Sequence, residues 1–366
     1  MRAHTCACVA PVWCRLQGCA AYTCVLSIWT RPYDHERAVS GMSTAVLAIF
    51  IALAVDYWLG EPPVRWHPVV WMGNALERYA GWVLPSHGVL SAGDHDWMAF
   101  TRGGLMWVAL ASVVVAIGWG VQWVALAAPS WLAGLLLGVA LKPLLAWRML
   151  RSEVQAVEKA LQVSLPGGRE RLSWLVSRDV TQLTESDVRE SAIESLAENL
   201  NDSVVAPLLW FVLFGLPGAA LYRFANTADA MWGYKGVYQG RNWEWAGKWA
   251  ARMDDALSWL PARLTALALA LAAGGLNLWR LRREASLTQS PNSGWPMAAM
   301  AMAIGVCLHK PGVYILNEVG REPRAADTVA AIRLATHALV WLAGVVVAVQ
   351  AMVVFGWLSW LVGVFL

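Results

Sequence analysis

The sequence predicts an all-α fold: a polytopic membrane helical bundle with polar cytoplasmic helices and loops, and with re-entrant segments as one way of placing its interrupted apolar runs. Three observations carry this. Hydrophobic residues make up 58% of the chain and charged ones 14%, whereas soluble domains carry about 25% charged residues. Apolar runs long enough, or nearly long enough, to supply the roughly 20 helical residues that cross a bilayer lie at about 43–59, 104–128, 130–147, 204–222, 260–279 and 334–366. Tryptophan is abundant, with 24 residues, and Trp58, Trp131, Trp147, Trp210 and Trp259 fall at the ends of those runs, where amphipathic rings anchor at the headgroups. Most of the tryptophans therefore need no ligand to explain them.

The N-terminus stands apart. Five of the six cysteines (Cys6, Cys8, Cys14, Cys19 and Cys24) lie in the first 24 residues. Their irregular gaps, with only His4 and His35 nearby, match no zinc spacing, and the segment lacks the ordered regions of a signal peptide. Residues 1–41 are read as an extension foreign to the fold, with Met42 as the expected start of the first membrane helix, "MSTAVLAIFIALAVDYWLG". Residues 42–366 then form one integral-membrane domain. A net charge of +3 with scattered Lys and Arg gives no basic stripe, so no nucleic-acid partner is expected.

The first helix ends in "DYWLGEPPVRWHPVVWMG" (residues 56–73). Asp56 is an ionisable residue at the end of a membrane segment, which makes it a functional candidate. Gly60, Pro62, Pro63 and Pro68 are explained by turn chemistry, and His67 by the same turn. Polar segments follow at about 60–103, 148–203, 223–256 and 280–333, and chemistry belongs there. The second opens with Arg148, Arg151, Lys159, Arg169, Arg171 and Arg178, which places it on the cytoplasmic side. Thr184, three residues before Asp187, reads as a capping box that starts a helix. On that helix Val188, Ala192, Leu196 and Leu200 share one face, and Glu190, Glu194 and Glu198 another. Acidic residues four apart repel by about 0.2–0.5 kcal/mol per pair. Either solvent or a cation relieves them, and Mg²⁺ has the required taste for carboxylate oxygens and phosphate.

The next run, "VVAPLLWFVLFGLPGAALY", is interrupted by Gly215, Pro217 and Gly218. Two placements fit: a kinked crossing, or a dip into the membrane and a return, which is tolerated when the broken backbone is buried in protein. Only the return puts all the polar segments on one side. Beyond it, "FANTADAMWGYKG" (residues 224–236) carries Asn226, Asp229 and Lys235; Lys235 is either a phosphate partner or a basic residue at the membrane surface. Asp254 and Asp255 precede an apolar helix, as metal ligands or as caps complementing the helix dipole. "SPNSGWP" (residues 290–296) is a turn before a 12-residue apolar stretch too short to span. The chain has no internal repeat to support an inverted-repeat transporter, no Walker loop, no nucleophile elbow and no His-Glu-x-x-His zinc motif.

Taken together, "DYWLGEPPVRWHPVVWMG", "SRDVTQLTESDVRESAIESLAENLNDSVVAPL", "YRFANTADAMWGYK", "AARMDDALSWLPARLTA" and "SPNSGWP", in this order over residues 43–340, resemble the CobD/CbiB family of adenosylcobinamide-phosphate synthases in cobalamin biosynthesis. The resemblance implies a multi-pass inner-membrane enzyme with its active site facing the cytoplasm. Such an enzyme joins adenosylcobyric acid to aminopropanol phosphate or ethanolamine phosphate, using ATP and Mg²⁺. It also implies a bilayer setting and association with other late-pathway membrane enzymes. On the matching positions Glu194, Glu198, Asn199 and Asp202 are expected to be catalytic. Arg178, Asp179, Asn226, Asp229, Lys235, Arg252 and Asn292 are expected to bind substrate, and Glu198, Asp202, Asp254 and Asp255 to hold metal. The family's usual His two residues before Ser-Pro-Asn is Thr288 here, and its usual Asn after Asp-Asp is Ser258. Two other classes remain open: a transporter coupling ions through Asp56 and the acidic stripe, and a non-catalytic membrane regulator of the same fold.

Overall fold

The computed structural model describes residues 35–84, 95–310 and 312–354. The cysteines of the leader, and the end of the last apolar run, lie outside the described residues. The structure is an all-α membrane bundle. Helix α1 (His35–Leu59) is followed by a 3₁₀ turn, Val64–Trp66, and by α2 (Pro68–Val83), whose first residue is a proline already set to the helical φ. Helix α3 (Trp97–Leu126) is capped by Asp96, which accepts from the Ala99 amide at 2.8 Å. Helix α4 (Ser130–Leu141) runs through a 3₁₀ turn, Lys142–Leu144, into α5 (Trp147–Val163), and α6 (Leu165–Leu172) follows. Helix α7 (Glu185–Leu200) starts at the expected capping box of Thr184 and Asp187. A π turn, Asn201–Val205, leads into α8 (Ala206–Trp232). The remaining helices are α9 (Lys248–Ala272), α10 (Leu278–Ala285), α11 (Gly294–Ile304) and α12 (Ala325–Val354). Two antiparallel hairpins interrupt them: β1 (Val237–Tyr238) with β2 (Arg241–Asn242), and β3 (Leu308–Lys310) with β4 (Tyr314–Leu316).

Among the described residues, five stretches are long and apolar enough to cross a membrane: Trp97–Leu126, Ser130–Val163, Glu185–Trp232, Lys248–Ala272 and Ala325–Val349. Several overrun the apolar runs of the sequence, because helices continue into polar segments that the protein buries. Helices α1 and α4 lie side by side in the same direction, since Thr44 approaches Ser130 near one end and Asp56 meets Lys142 at the other. Gly134 and Gly138 permit the contact: a Cβ on either would come within 2.7 Å of α1 atoms, at Leu47 and at Ala48. Small residues four apart let backbones approach where lipid gives no hydrophobic drive to associate.

The decisive feature is the break at Gly215. A continuous helix would put Tyr222 about 30 Å from Asp202, at about 1.5 Å per residue. Instead the Tyr222 hydroxyl donates to Asp202 Oδ1 at 3.3 Å, and Arg223 donates to the Asp202 carbonyl at 3.0 Å. The chain therefore turns back. Gly215 has φ 68° and ψ −159°, a region essentially reserved for glycine. Pro217 then opens the returning arm, and the freed Leu216 N–H is received by Gln122 Oε1 of α3 at 2.8 Å. The descending arm, residues 206–214, is about 14 Å long, half of the roughly 30 Å hydrocarbon core. Of the two placements open from sequence, the dip and return is the one adopted.

Two apolar cores flank this hairpin. One gathers Leu150, Val154, Ile193, Leu196 and the Met297–Ala301 face of α11; the other gathers Leu76, Leu137, Leu141, Phe211 and Phe224. Helix α7 is buried on nearly every side, so its acidic row is not the water-facing stripe that was one of the two expectations. Glu190 and Glu194 are only 2% and 5% exposed. Their relief comes from distant parts of the chain, Arg178 for Glu194 at 3.1 Å and His309 for Glu190.

Candidate active site

Where the end of α7 meets the returning arm of α8, the first half of α9 and the loop before α11, they enclose a cavity of about 320 Å³. Local periodicity puts the side chains there. Glu198 and Asp202 are four apart, Asn226 and Asp229 three apart, and Asp254 and Ser258 four apart, so each pair shares a helix face. The π turn adds its own effect: the extra residue per turn shifts the register and turns Asn201 and Asp202 toward the cavity, which both line. Lys235 closes one side, and Ser290 and Asn292 another.

Hydrogen bonds fix the walls. Asp202 Oδ1 accepts from Asn201 Nδ2 at 2.7 Å as well as from Tyr222, whose hydroxyl also pairs with Ser258 at 3.0 Å. Arg223, behind the wall, donates from Nη1 to the Asp202 carbonyl, to Ser203 Oγ at 3.3 Å and to Asn226 Oδ1 at 3.4 Å. Asn292 Nδ2 donates to the Asp255 carbonyl at 2.8 Å, and its Oδ1 accepts from Arg263 at 2.9 Å. Thr288 bonds the carbonyls of Ala285 and Ser290 and so shapes the same loop.

The electrostatics are one-sided. Five of the lining residues are carboxylates (Glu198, Asp202, Asp229, Asp254 and Asp255) and one, Lys235, is a cation. Like charges this close repel strongly once water is thinned out, and the amide of Asn226 reaches Asp254 at only 3.4 Å. One turn back along α7, Glu194 Oε1 is buried without a hydrogen-bond partner. Oxygen is the donor type Mg²⁺ prefers, and Glu198, Asp202, Asp254 and Asp255 are the residues that would hold it.

Of the residues expected from sequence, the cavity brings together Glu198, Asp202, Asn226, Asp229, Lys235, Asp254, Asp255 and Asn292. It does not include Glu194, which is held by Arg178, or Asn199, which bonds Ser195 on its own helix at 3.0 Å. Asp179 is exposed and accepts from the Thr181 amide, a bond that holds its carboxyl below the usual range. Arg252 is exposed on α9. Sequence reasoning gave no site role to Tyr222, Arg223, Asn201 or Ser290. Arg223 had a signal: an arginine at the end of an apolar run is costly unless it is used. On the hairpin behind α7, burial and the neighbouring Glu194 carboxylate raise the Tyr314 phenol well above its usual range, so it stays a donor.

A separate ionic clamp joins α1 to α4. Lys142 Nζ lies 3.3 Å from Asp56 and 2.9 Å from Glu61, His67 lies 3.1 Å from Glu61, and the Arg148 amide donates to Asp56 at 2.8 Å. Burial would raise the Glu61 carboxyl, but hydrogen bonds from His67 and Lys142 outweigh it and hold it below the ordinary value of 4.5. Asp56 is thereby paired with Lys142 and the Arg148 amide at the junction of the two helices.

Fold and site together define a polytopic helical membrane protein built round a carboxylate-lined, amide-bearing cavity. Residues 49–342 match the protein family described as CobD/Cbib protein, and the chain belongs to that family. It is 41% identical over 290 residues to the probable cobalamin biosynthesis protein CobD of Thermococcus kodakarensis, covering 79% of this chain and 90% of that one. It is 36% identical over 331 residues to the cobalamin biosynthesis protein CobD of Brucella suis, covering 84% and 97%. With the protein of the same name from Chromobacterium violaceum it shares 41% over 270 residues, 72% and 81% of the two chains. No solved structure matches.

Proposed function

We propose that this chain, whose family membership gives it a part in cobalamin biosynthesis, is an adenosylcobinamide-phosphate synthase. It would join the free carboxylate of adenosylcobyric acid to the amine of aminopropanol phosphate, or of ethanolamine phosphate, with ATP as co-substrate. The observation that carries this reading is convergence. Eight residues from four separate stretches, each within a motif of the family, line one cavity. The fold's inner-membrane setting, a cytoplasmic cavity mouth and association with other late-pathway membrane enzymes belong to the same reading, supported by the Arg-rich segment that leads into α7.

The chemistry demands such a site. A carboxylate has no adequate leaving group at neutral pH, so it is activated first. One of its oxygens attacks the γ-phosphorus of ATP, ADP departs, and an acyl phosphate forms. The amine then attacks the acyl carbon, phosphate leaves, and the nitrogen loses a proton. Mg²⁺ on Glu198, Asp202, Asp254 and Asp255 would screen the phosphate charge. Lys235 pairs with the substrate phosphate as a point charge. Asn226 and Asn292 orient polar groups, and Asp229, the remaining carboxylate, takes the amine proton. A cavity of about 320 Å³ is sized for a carboxylate arm and phosphate groups, and on this reading the corrin ring stays outside it.

The test is mass spectrometry of membranes containing the inserted chain, incubated with adenosylcobyric acid, aminopropanol phosphate, ATP and Mg²⁺. A product of adenosylcobinamide phosphate mass, absent without ATP and absent with Glu198→Gln, is the expected result. No product from inserted, folded chain would overturn the reading, and uptake of a solute without any covalent product would move it to transport.

A further inference from the structure

About 12 Å along α7 from Glu198, at about 1.5 Å per residue, lies a second constellation that the cavity does not use. Asp187, Glu190 and His309 each place one ligand atom within 4.8 Å of the other two. Asp187 and Glu190 are three apart on one face of the first turn of α7, and His309 sits on β3, 119 residues further along the chain than Glu190.

The three residues have different roles. Glu190, buried, holds His309 twice: its Oε2 accepts the His309 backbone N–H at 2.8 Å and lies against the ring Nδ1, while its Oε1 accepts from Ser186 at 3.2 Å. A proton on Nδ1 facing Glu190 leaves the lone pair on Nε2. That nitrogen lies 3.4 Å from Asp187 Oδ1, beyond the roughly 2.7–3.2 Å of an N–H···O hydrogen bond. It matches the span between two ligands of one tetrahedral ion, because bonds of about 2.0–2.1 Å at the tetrahedral angle put ligand atoms about 3.4 Å apart. Asp187 is pre-set as well: its Oδ2 is occupied by the Thr184 amide at 2.8 Å and hydroxyl at 2.7 Å, which aims Oδ1 at the histidine. The His309 side chain is 35% exposed, so water can complete the shell.

We propose that His309 Nε2 and Asp187 Oδ1 bind a divalent transition-metal ion of the zinc class, with Glu190 orienting the imidazole from behind in a carboxylate–histidine–metal arrangement. The nitrogen donor selects against Mg²⁺, which prefers oxygen, so this ion is distinct from any held in the cavity. Its role is to pin the β3–β4 hairpin to α7. That hairpin carries Tyr314 to Glu194 and Lys310 into electrostatic range of Glu198. The site stands on its own geometry, whatever reaction the cavity performs.

The test reads binding rather than activity. The full chain, purified in detergent, stripped with chelator and kept in excess Mg²⁺ so that the cavity carboxylates are occupied, is titrated with Co²⁺ followed by d–d absorbance and with Zn²⁺ followed by elemental analysis. One equivalent with nitrogen and oxygen ligation is expected. His309→Ala should abolish it, Glu190→Gln should weaken it by about 10- to 100-fold, and Glu198→Gln should leave it intact. Because Asp187 also caps α7, the half-exposed His309 is the informative substitution. Absence of bound metal in folded protein overturns the proposal. So does metal that survives His309→Ala, including metal held by leader cysteines, which thiolate charge-transfer bands would reveal.

Discussion

Gly215→Ala tests the fold where it matters most. A Cβ at this position would lie 2.1 Å from Gln122 Oε1, and φ 68° with ψ −159° costs a non-glycine residue about 1–3 kcal/mol. Moving Gln122 aside strands the buried Leu216 N–H, a further loss of about 1–3 kcal/mol. The sum, about 4 kcal/mol, corresponds to a fall in Tm of about 10 °C at roughly 2–4 °C per kcal/mol. Gly120→Ala is the control, on the neighbouring helix α3, where an added Cβ meets no atom within 4 Å and replacing a helical glycine is worth about 0.5–1 kcal/mol in favour of alanine. Thermal unfolding of both variants in the same detergent, followed by the fluorescence of the many tryptophans, gives the comparison. If the two differ by less than about 2 °C, Gly215 is not a backbone pivot and the reasoning about the hairpin is refuted.

Because the hairpin returns, Ser177→Cys and Val237→Cys, placed before and after it at exposed positions in a chain whose native cysteines are serine, should react with an impermeant maleimide from the same side of the membrane. Labelling from opposite sides would mean that α8 crosses. The ionic clamp of α1 and α4 predicts a pH dependence with a definite sign. The folded Glu61 carboxyl is depressed below 4.5, so its contribution to stability is complete above that pH and is lost as pH falls through the folded value. The Tm difference between the parent and Glu61→Gln should therefore shrink as pH falls below about 5; a difference that grows on acidification through that range would contradict the assignment.

The sequence displays what local physics controls. The capping box of Thr184 and Asp187, the proline at the head of α2, the Trp-flanked apolar runs and the glycine-proline interruption can all be read from a few adjacent residues. Three features resist such reading because their causes lie far off in the chain. At Gly215 the amide freed by the return is received by Gln122, 94 residues before Leu216. The burial of Glu190 and Glu194 depends on His309 and Arg178, which no helical periodicity connects to α7. The preference of the cavity for Asn201 over Asn199 follows from the π turn, which changes the register just where a regular helix had been assumed. Eight of the expected site residues meet in the cavity, six of them as helix-end or helix-face pairs and Lys235 and Asn292 from the loops that close it, whereas Arg178 and Arg252, expected from the same motifs, lie outside it.

Arg223 shows how the re-entrant fold lets a membrane protein collect five carboxylates. A charge at this depth is tolerated only when it is paired, and Arg223 is paired through geometry rather than through one contact. Its Nη1 meets the Asp202 carbonyl, Ser203 Oγ and Asn226 Oδ1, tying the π turn at the start of the hairpin to the arm that comes back. It supplies positive charge to the acidic wall from behind, leaving the cavity side of the carboxylates free for ligands. Lysine keeps the charge, but its compact ammonium on a different stem does not stand where Arg223 Nη1, the nitrogen that makes all three contacts, stands. Arg223→Lys should therefore retain insertion and most of the stability while misplacing Asp202 and Asn226. An error of about 1 Å in a ligation site costs on the order of 100-fold in rate. Arg223→Met, which removes the charge as well, should unfold at clearly lower temperature, since truncating one member of a buried ionic network costs about 3–5 kcal/mol. Equal stability and equal turnover in the two variants would show that Arg223 neither braces the hairpin nor positions the wall of the cavity.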